Sequence, residues 1–215
     1  MNIDDHFEYI QGYPDQSVRP NSNISREEVA AVFYRLLDED YKKEIYSLKN
    51  NFNDISKDRW SNKHISTLTK GNILKGYKDN SFKGSNFITR AEAAAIASRF
   101  DNLEKVNYNF KNTKGHWAEK YIGSSYNKGW IKGYEDGTFK PDEYITRAEF
   151  ITLVNNVLNR KVLRENILDG IKEFNDLEKD KWYYEAIVEA VNGHIYNKKN
   201  NVEIWKVLED FNLDM

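Results

Sequence analysis

Three arginines hold the same place in three short segments, Ile24-Ser25-Arg26-Glu27-Glu28, Ile88-Thr89-Arg90-Ala91-Glu92 and Ile145-Thr146-Arg147-Ala148-Glu149. Ser or Thr followed three residues later by Glu is a capping box: the hydroxyl accepts from the third helical amide and the carboxylate reaches back to the cap's own amide. The preceding isoleucine is placed to staple onto the first turn, Ile24 with Val29, Ile88 with Ala93 and Ile145 with Phe150. These devices account for every residue except the arginine. At the first helical position a cation loses roughly 0.3–1 kcal/mol against the helix dipole. Two uses would justify it. An anion in front of the helix would meet free amides, the positive end of the dipole and a guanidinium fork that matches a carboxylate. Alternatively, the arginine forms an internal ion pair with Asp54, Asp79, Asp136 or Asp176. Replacement by alanine spares the fold in the first case and strands a carboxylate in the second.

Other residues with chemical capacity recur in the same register. Gly12-Tyr13-Pro14-Asp15, Gly76-Tyr77-Lys78-Asp79 and Gly133-Tyr134-Glu135-Asp136 combine close backbone approach with a phenol, which suits sugar hydroxyls and equally suits a tight turn against a helix. Trp60, Trp117 and Trp182 each open a helical pattern, where packing is favoured over a groove-lining role. His6, His64, His116 and His194 show no i, i+3 or i, i+4 pairing, so no metal ligands are expected. Neither Asp79 nor Asp136 begins a calcium loop. No two carboxylates are marked as the acid and base of a glycosidase. The expectation is a protein without catalytic residues, metal or cofactor.

The elements that position these residues are repeats. The arginines at 26, 90 and 147 are spaced 64 and 57 residues apart, and Gly12, Gly76 and Gly133 keep the same spacings. A second half-motif, Phe-x-Asp/Asn followed by Trp, occurs as Phe52-Asn53-Asp54 with Trp60, Phe110-Lys111-Asn112 with Trp117, and Phe174-Asn175-Asp176 with Trp182. The first Gly-Tyr/arginine half has no front half before it and the last front half has no partner after it. They complete each other only in a closed, pseudo-threefold arrangement. The arginine helices carry apolar residues at i, i+3, i+4 and i+7, namely Val29, Val32, Phe33, Leu36; Ala93, Ile96, Ala97, Phe100; and Phe150, Leu153, Val154, Val157. Large residues in one helix align with small ones in another, as three helices sharing an axis require. The front helices carry weaker stripes, Ile65 and Leu68, Tyr121 and Ile122, Ile187 and Ala190. The reading is a mainly α fold with turn-rich loops and repeats over 1–50 (completed by 174–196), 51–108 and 109–173. Residues 102–109 and 161–173 read as connectors, and 197–215 match no repeat.

Composition narrows the function classes. The 215 residues are 40% hydrophobic, and 32 Lys and Arg against 34 Asp and Glu leave a net charge of −2 with the signs interleaved. No basic stripe is available for a phosphate backbone, so nucleic acid is not an expected partner. No apolar run reaches 18 residues and the first residues do not read as a charged-then-apolar leader, which leaves cytosolic residence or a signal peptide already removed. The absence of cysteine is compatible with export.

The succession Phe-x-Asp, Trp, Gly-Tyr-x-Asp-Gly-x-Phe and Ile-Thr-Arg-Ala-Glu, most complete in Gly133-Tyr134-Glu135-Asp136-Gly137-Thr138-Phe139 through Glu149, resembles the S-layer homology domain over residues 7–196. That resemblance implies a pseudo-threefold, three-pronged spindle around a central three-helix bundle. It also implies noncovalent anchoring of extracellular surface proteins of mostly Gram-positive bacteria, in the cell wall or S-layer, to a secondary cell wall polymer bearing pyruvate ketals on amino sugars. The ketal carboxylate would be the anion, with Arg90 and Arg147 as ligands in grooves between repeats and Arg26 in a weaker one. Glu27, where the other repeats have Ala91 and Ala148, is expected to place a carboxylate beside Arg26 and weaken that groove. Gln16-Ser17-Val18 also departs from Gly-Thr-Phe. The alternative is a protein-interaction or self-assembly module on the same fold. Neither the oligomeric state nor the glycan follows from the sequence.

Overall fold

The structure, a computed structural model, describes residues 1–105 and 110–210; part of the 102–109 connector and the last five residues lie outside them. It is mainly helical, in two compact units. The first comprises Met1–Asn2 and Asn23–Ile145. It holds α1 (Arg26–Arg35), α2 (Glu39–Ile45), α3 (Asn62–Lys70), α4 (Arg90–Ala97) and α5 (Glu119–Asn127). The second comprises Ile3–Ser22 and Thr146–Met215, with α6 (Arg147–Val157), α7 (Tyr184–Val191) and an antiparallel hairpin of β1 (His194–Lys199) and β2 (Val202–Leu208). No described helix is long and apolar enough to cross a membrane.

The three arginine helices start as their sequences dictate. Ser25, Thr89 and Thr146 are N-caps in extended backbone, and each forms the complete capping box with Glu28, Glu92 and Glu149. The stripes are buried: Val29, Val32, Phe33 and Leu36 on α1, Ala93, Ile96 and Ala97 on α4, and Phe150, Leu153 and Val154 on α6. Each pairs with a front helix, α1 with α3, α4 with α5 and α6 with α7. Ile65, Leu68, Ile122, Ile187 and Ala190 are buried on those partners.

In the first unit the residues before the three caps close a backbone ring. Ile24 donates to the carbonyl of Ile145 (3.2 Å), Ile145 to that of Ile88 (3.1 Å) and Ile88 to that of Ile24 (3.1 Å). In the second unit the N-terminal segment is joined to the C-terminal one: Tyr9 and Ile10 both donate to the carbonyl of Ala190, and His194 to that of His6.

The hairpin occupies the segment that matches no repeat. Asn200 and Asn201 form its turn at φ of 52° and 60°, the left-handed geometry of a two-residue turn matching strand twist. Trp205 on β2 packs with Val162, Tyr184 and Val188 in a buried cluster. The stretch expected to be a connector at 161–173 is tied to it, since Val162 bridges to Glu203.

Candidate functional site

The three arginines lie within the packed structure, Arg26 and Arg90 at 7% exposure and Arg147 at 4%. Their environments repeat. Arg26 donates from Nε to the carbonyl of Phe82 (2.9 Å) and from Nη2 to that of Lys75 (3.2 Å). Arg90 does the same to Phe139 (2.9 Å) and Lys132 (3.4 Å), and Arg147 to Val18 (2.9 Å) and Gln11 (3.4 Å). Each guanidinium faces a tyrosine of the Gly-Tyr pairs, Tyr77 at 4.8 Å, Tyr134 at 4.7 Å and Tyr13 at 5.0 Å from ring centroid.

These contacts correct the expectation of an anion held on the helix N-terminus. The first two helical amides are already satisfied: Arg26 and Glu27 donate to Asn86 and Gly84, Arg90 and Ala91 to Glu143 and Pro141, and Arg147 and Ala148 to Ser22 and Pro20. The third serves the capping hydroxyl. The arginine therefore supplies donors to two carbonyls of another repeat's turn, one of them, on Phe82, Phe139 or Val18, in a buried bond. Its replacement by alanine is expected to cost stability as well as any ligand contact.

The ion-pair partner is also different from those expected. Arg26 Nη1 donates to Glu92 Oε1 at 2.9 Å, so the glutamate that closes the α4 capping box also holds the α1 arginine. The four aspartates serve backbone amides and turns. Asp54 accepts from the amides of Phe82 and Lys83, and Asp176 from those of Val18 and Arg19, while Asn112 accepts from Phe139. Asp79 and Asp136 accept from Ser81 and Thr138 inside their own exposed turns, as Asp15 does from Ser17. These bonds to the ionised form hold the Asp79 and Asp136 carboxyls below the usual range and bring Asp15 to about 2.

The glycines are explained by an aromatic ring. A Cβ on Gly12, Gly76 or Gly133 would lie 2.2 Å from Cε1 of Phe174, Phe52 or Phe110 respectively. The Phe of each front half thus lies directly on the backbone of a Gly-Tyr turn, and no larger residue fits.

The tryptophans are not core anchors. Trp60, Trp117 and Trp182 are 55%, 57% and 65% exposed. Around Trp117 this exposure accompanies a groove. Arg26, Lys75, Gly76, Tyr77, Glu92, Arg99 and Trp117, with Leu74, Ala95 and Ile96 at its apolar side, line a cavity of about 130 Å³. Tyr77 Oη donates to Glu92 Oε1 at 3.3 Å, and Arg99 Nη1 donates to the carbonyl of Ile73. Arg26, Lys75 and Arg99 against Glu92 leave the lining with excess positive charge, and one flank carries an exposed indole. Glu27 does not enter it. Its carboxylate is held by Arg59 (2.8 and 3.0 Å) and by Ser61 (2.7 Å), so the groove expected to be weakest is formed by these residues without it. Arg99 lies beyond the repeated motif, in the 3₁₀ turn that ends α4, so the spacing of the motif does not point to it.

A repeat protein whose turns are clamped by buried arginines, with a cation-lined groove beside an exposed tryptophan, is the class these features define. The chain belongs to the S-layer homology domain family, whose model matches residues 7–30, 51–94 and 109–151. It is 36% identical over 206 residues to a cellulosome-anchoring protein of Acetivibrio thermocellus, covering 92% of this chain and 45% of that protein. It is 34% identical over 222 residues to cell surface glycoprotein 1 of the same organism, covering 96% of this chain and 9% of the relative. An S-layer protein of Bacillus licheniformis is 30% identical over 129 residues, 59% of this chain and 14% of its own length. The chain thus spans less than half of each of these relatives.

Proposed function

We propose that this chain is a noncatalytic anchoring module that holds a larger surface protein to an anionic cell wall polysaccharide. The observation that carries the reading is the groove of Arg26, Lys75, Tyr77, Arg99 and Trp117, in which cations face a cavity beside an exposed indole. A secondary cell wall polymer with pyruvylated amino sugars matches that chemistry: the ketal carboxylate pairs with the guanidinium and ammonium groups, and the sugar face lies on Trp117. Tyr13, Tyr134, Arg90, Arg147, Trp60 and Trp182 hold corresponding sequence positions and are assigned to equivalent grooves. The module acts outside the cell, at the wall or S-layer. The names of its relatives support this reading, as does the match to the S-layer homology family.

The repeat boundaries belong to the same proposal, with residues 1–50 completed by 174–196 in a closed pseudo-threefold spindle. The ring of Ile24, Ile88 and Ile145 and the bonds from Tyr9 and Ile10 to Ala190 support it.

Co-sedimentation with purified wall, native and after removal of the ketal groups, tests the function. Binding to native wall only is expected. Trp117→Ala and Lys75→Gln, whose side chains are not part of the arginine clamp, are expected to weaken binding roughly tenfold each with an unchanged melting temperature. Equal binding to both walls, or none to either together with self-association, would favour the protein-interaction alternative.

A further inference from the structure

Four side chains converge in the interior of the second unit. His6 comes from the N-terminal segment, Glu189 from α7, His194 from β1 and Glu203 from β2, and all are at most 3% exposed. One ligand atom from each lies within 4.8 Å of the others. The expectation that no histidines could share a metal rested on local spacing, whereas His6 and His194 meet across 188 positions of sequence.

We propose that His6, Glu189, His194 and Glu203 form a closed, four-coordinate structural zinc site that fastens the N-terminal segment, α7 and the hairpin to one another. A tetrahedral zinc with bonds of about 2.0–2.1 Å has ligand-to-ligand edges of about 3.3–3.4 Å. The distances here are 3.2 Å for His6 Nδ1 to His194 Nε2, 3.2 Å for His6 Nδ1 to Glu203 Oε2 and 3.3 Å for His6 Nδ1 to Glu189 Oε1. From His194 Nε2 they are 3.4 Å to Glu203 Oε2 and 3.5 Å to the second Glu189 oxygen, Oε2, so Glu189 turns one oxygen to each imidazole and a metal draws one of them inward from a set that spans up to 4.8 Å.

Hydrogen bonds within the cluster join His6 Nδ1 to His194 Nε2 and His194 Nε2 to Glu203 Oε2, and they leave Glu189 out. Both oxygens of Glu189, at 1% exposure, have no hydrogen-bond partner, although the residue faces two imidazoles. His194 Nδ1 lies 3.0 Å from the carbonyl of Asn192, which assigns the proton of a neutral ring to Nδ1 and turns a bare Nε2 towards two carboxylates. A single proton on His6 Nδ1 cannot serve His194, Glu189 and Glu203 together. A divalent cation serves all four groups at once.

The outer groups fit as well. The Asn192 carbonyl orients one ligand imidazole, and the Lys161 amide donates to Glu203 Oε1 at 3.2 Å, leaving Oε2 for the metal. The His194 ring stacks on Trp205 at 3.9 Å and His6 on Tyr196 at 3.9 Å, closing the site to water. Arg160 is the buried cation nearby, but its hydrogen bonds run to the carbonyls of Asp5 and Phe7 and its Nε has no partner. Four protein ligands and no open face suit a structural zinc rather than a catalytic one.

The test uses tag-free chain from zinc-replete medium. Elemental analysis after gel filtration is expected to find about one zinc per chain. After chelation, cobalt(II) should give the intense visible bands of a four-coordinate ion, displaced by zinc. Zinc at a hundredfold excess over its dissociation constant should raise the melting temperature by on the order of 5–10 °C. Glu189→Gln should lose the metal, the cobalt bands and the zinc-dependent shift, while His116→Gln keeps all three. Chain that carries no zinc and shows neither bands nor shift would overturn the site, leaving an imidazolium–carboxylate network. Uptake that survives in Glu189→Gln would overturn it too, as surface binding. Should Glu189→Gln not fold, the cobalt spectrum of the parent decides alone. Wall binding plays no part in any of these readouts.

Discussion

At the scale of single residues, the arginine after each capping residue is a clamp. Its place opposes the helix dipole at a cost of roughly 0.3–1 kcal/mol, which its bonds to two carbonyls, joined in Arg26 by one to the Glu92 carboxylate, more than offset. Arg26→Ala would leave the carbonyls of Phe82 and Lys75 and the Oε1 of Glu92 without this donor. The pair is partly buried, with side-chain exposures of 8% and 22%. The expected loss is therefore about 2–4 kcal/mol, seen as a melting temperature lower by roughly 5–12 °C. Glu92→Gln should cost less, since it retains an acceptor for the guanidinium. A melting temperature within a degree of the parent in Arg26→Ala would show that the clamp is dispensable and leave the arginine only its part in the groove.

At the scale of elements, each front half acts as a brace for a Gly-Tyr turn. Its Phe lies on the glycine, and its Asp or Asn accepts from the first amide after the turn. Arg19, Lys83 and Lys140 follow at φ of 52°, 55° and 53°, a left-handed conformation in which the amides of Arg19 and Lys83 also donate to Asp176 and Asp54. Asp176 accepts from two amides at 2.8 and 2.7 Å, so Asp176→Ala is expected to cost about 2–4 kcal/mol. Asp176→Asn, which keeps one oxygen acceptor, should cost about half of that. Hydrogen exchange at the amides of Val18 and Arg19 provides the local readout. Faster exchange there, with the amides of Phe82 and Lys83 unchanged, is the expected pattern, and uniform acceleration along the chain would contradict a local brace.

At the scale of the whole molecule, stability should decline on mild acidification. Burial, then the neighbouring charges of Arg35 and Lys63, lower the pKa of His64 from 6.5 to about 4. Its Nδ1 is buried without a partner. A folded-state pKa below the unfolded one means that the unfolded chain binds the proton first as pH falls. The stabilisation is thus complete above about 6.5 and lost progressively towards about 4, by an amount on the order of 2–3 kcal/mol. Denaturant midpoints of the parent and of His64→Leu between pH 7 and 4.5 measure it, and the variant should show the shallower decline. Parallel pH profiles would remove His64 as a source of acid sensitivity.

What the sequence determined by itself is local or periodic. The capping boxes of Ser25, Thr89 and Thr146, the buried stripes and the turns at Asp79 and Asp136 depend on residues a few positions apart, and the repeat register follows from the spacing of 26, 90 and 147. The hairpin was also within reach, because Asn200-Asn201 between two β-prone runs is a turn signal. Tertiary structure alone decided where long side chains end. Arg26 reaches Glu92 and Lys75 rather than an aspartate, Glu27 turns to Arg59, and Trp117 stands exposed at a groove that includes Arg99. His6, Glu189, His194 and Glu203 share no spacing that a helix or strand could impose, and they meet because two ends of the chain are hydrogen-bonded together in one unit. Local patterns record the backbone conformation of a segment, whereas the partner of a flexible charged side chain depends on which surfaces the fold brings within its reach.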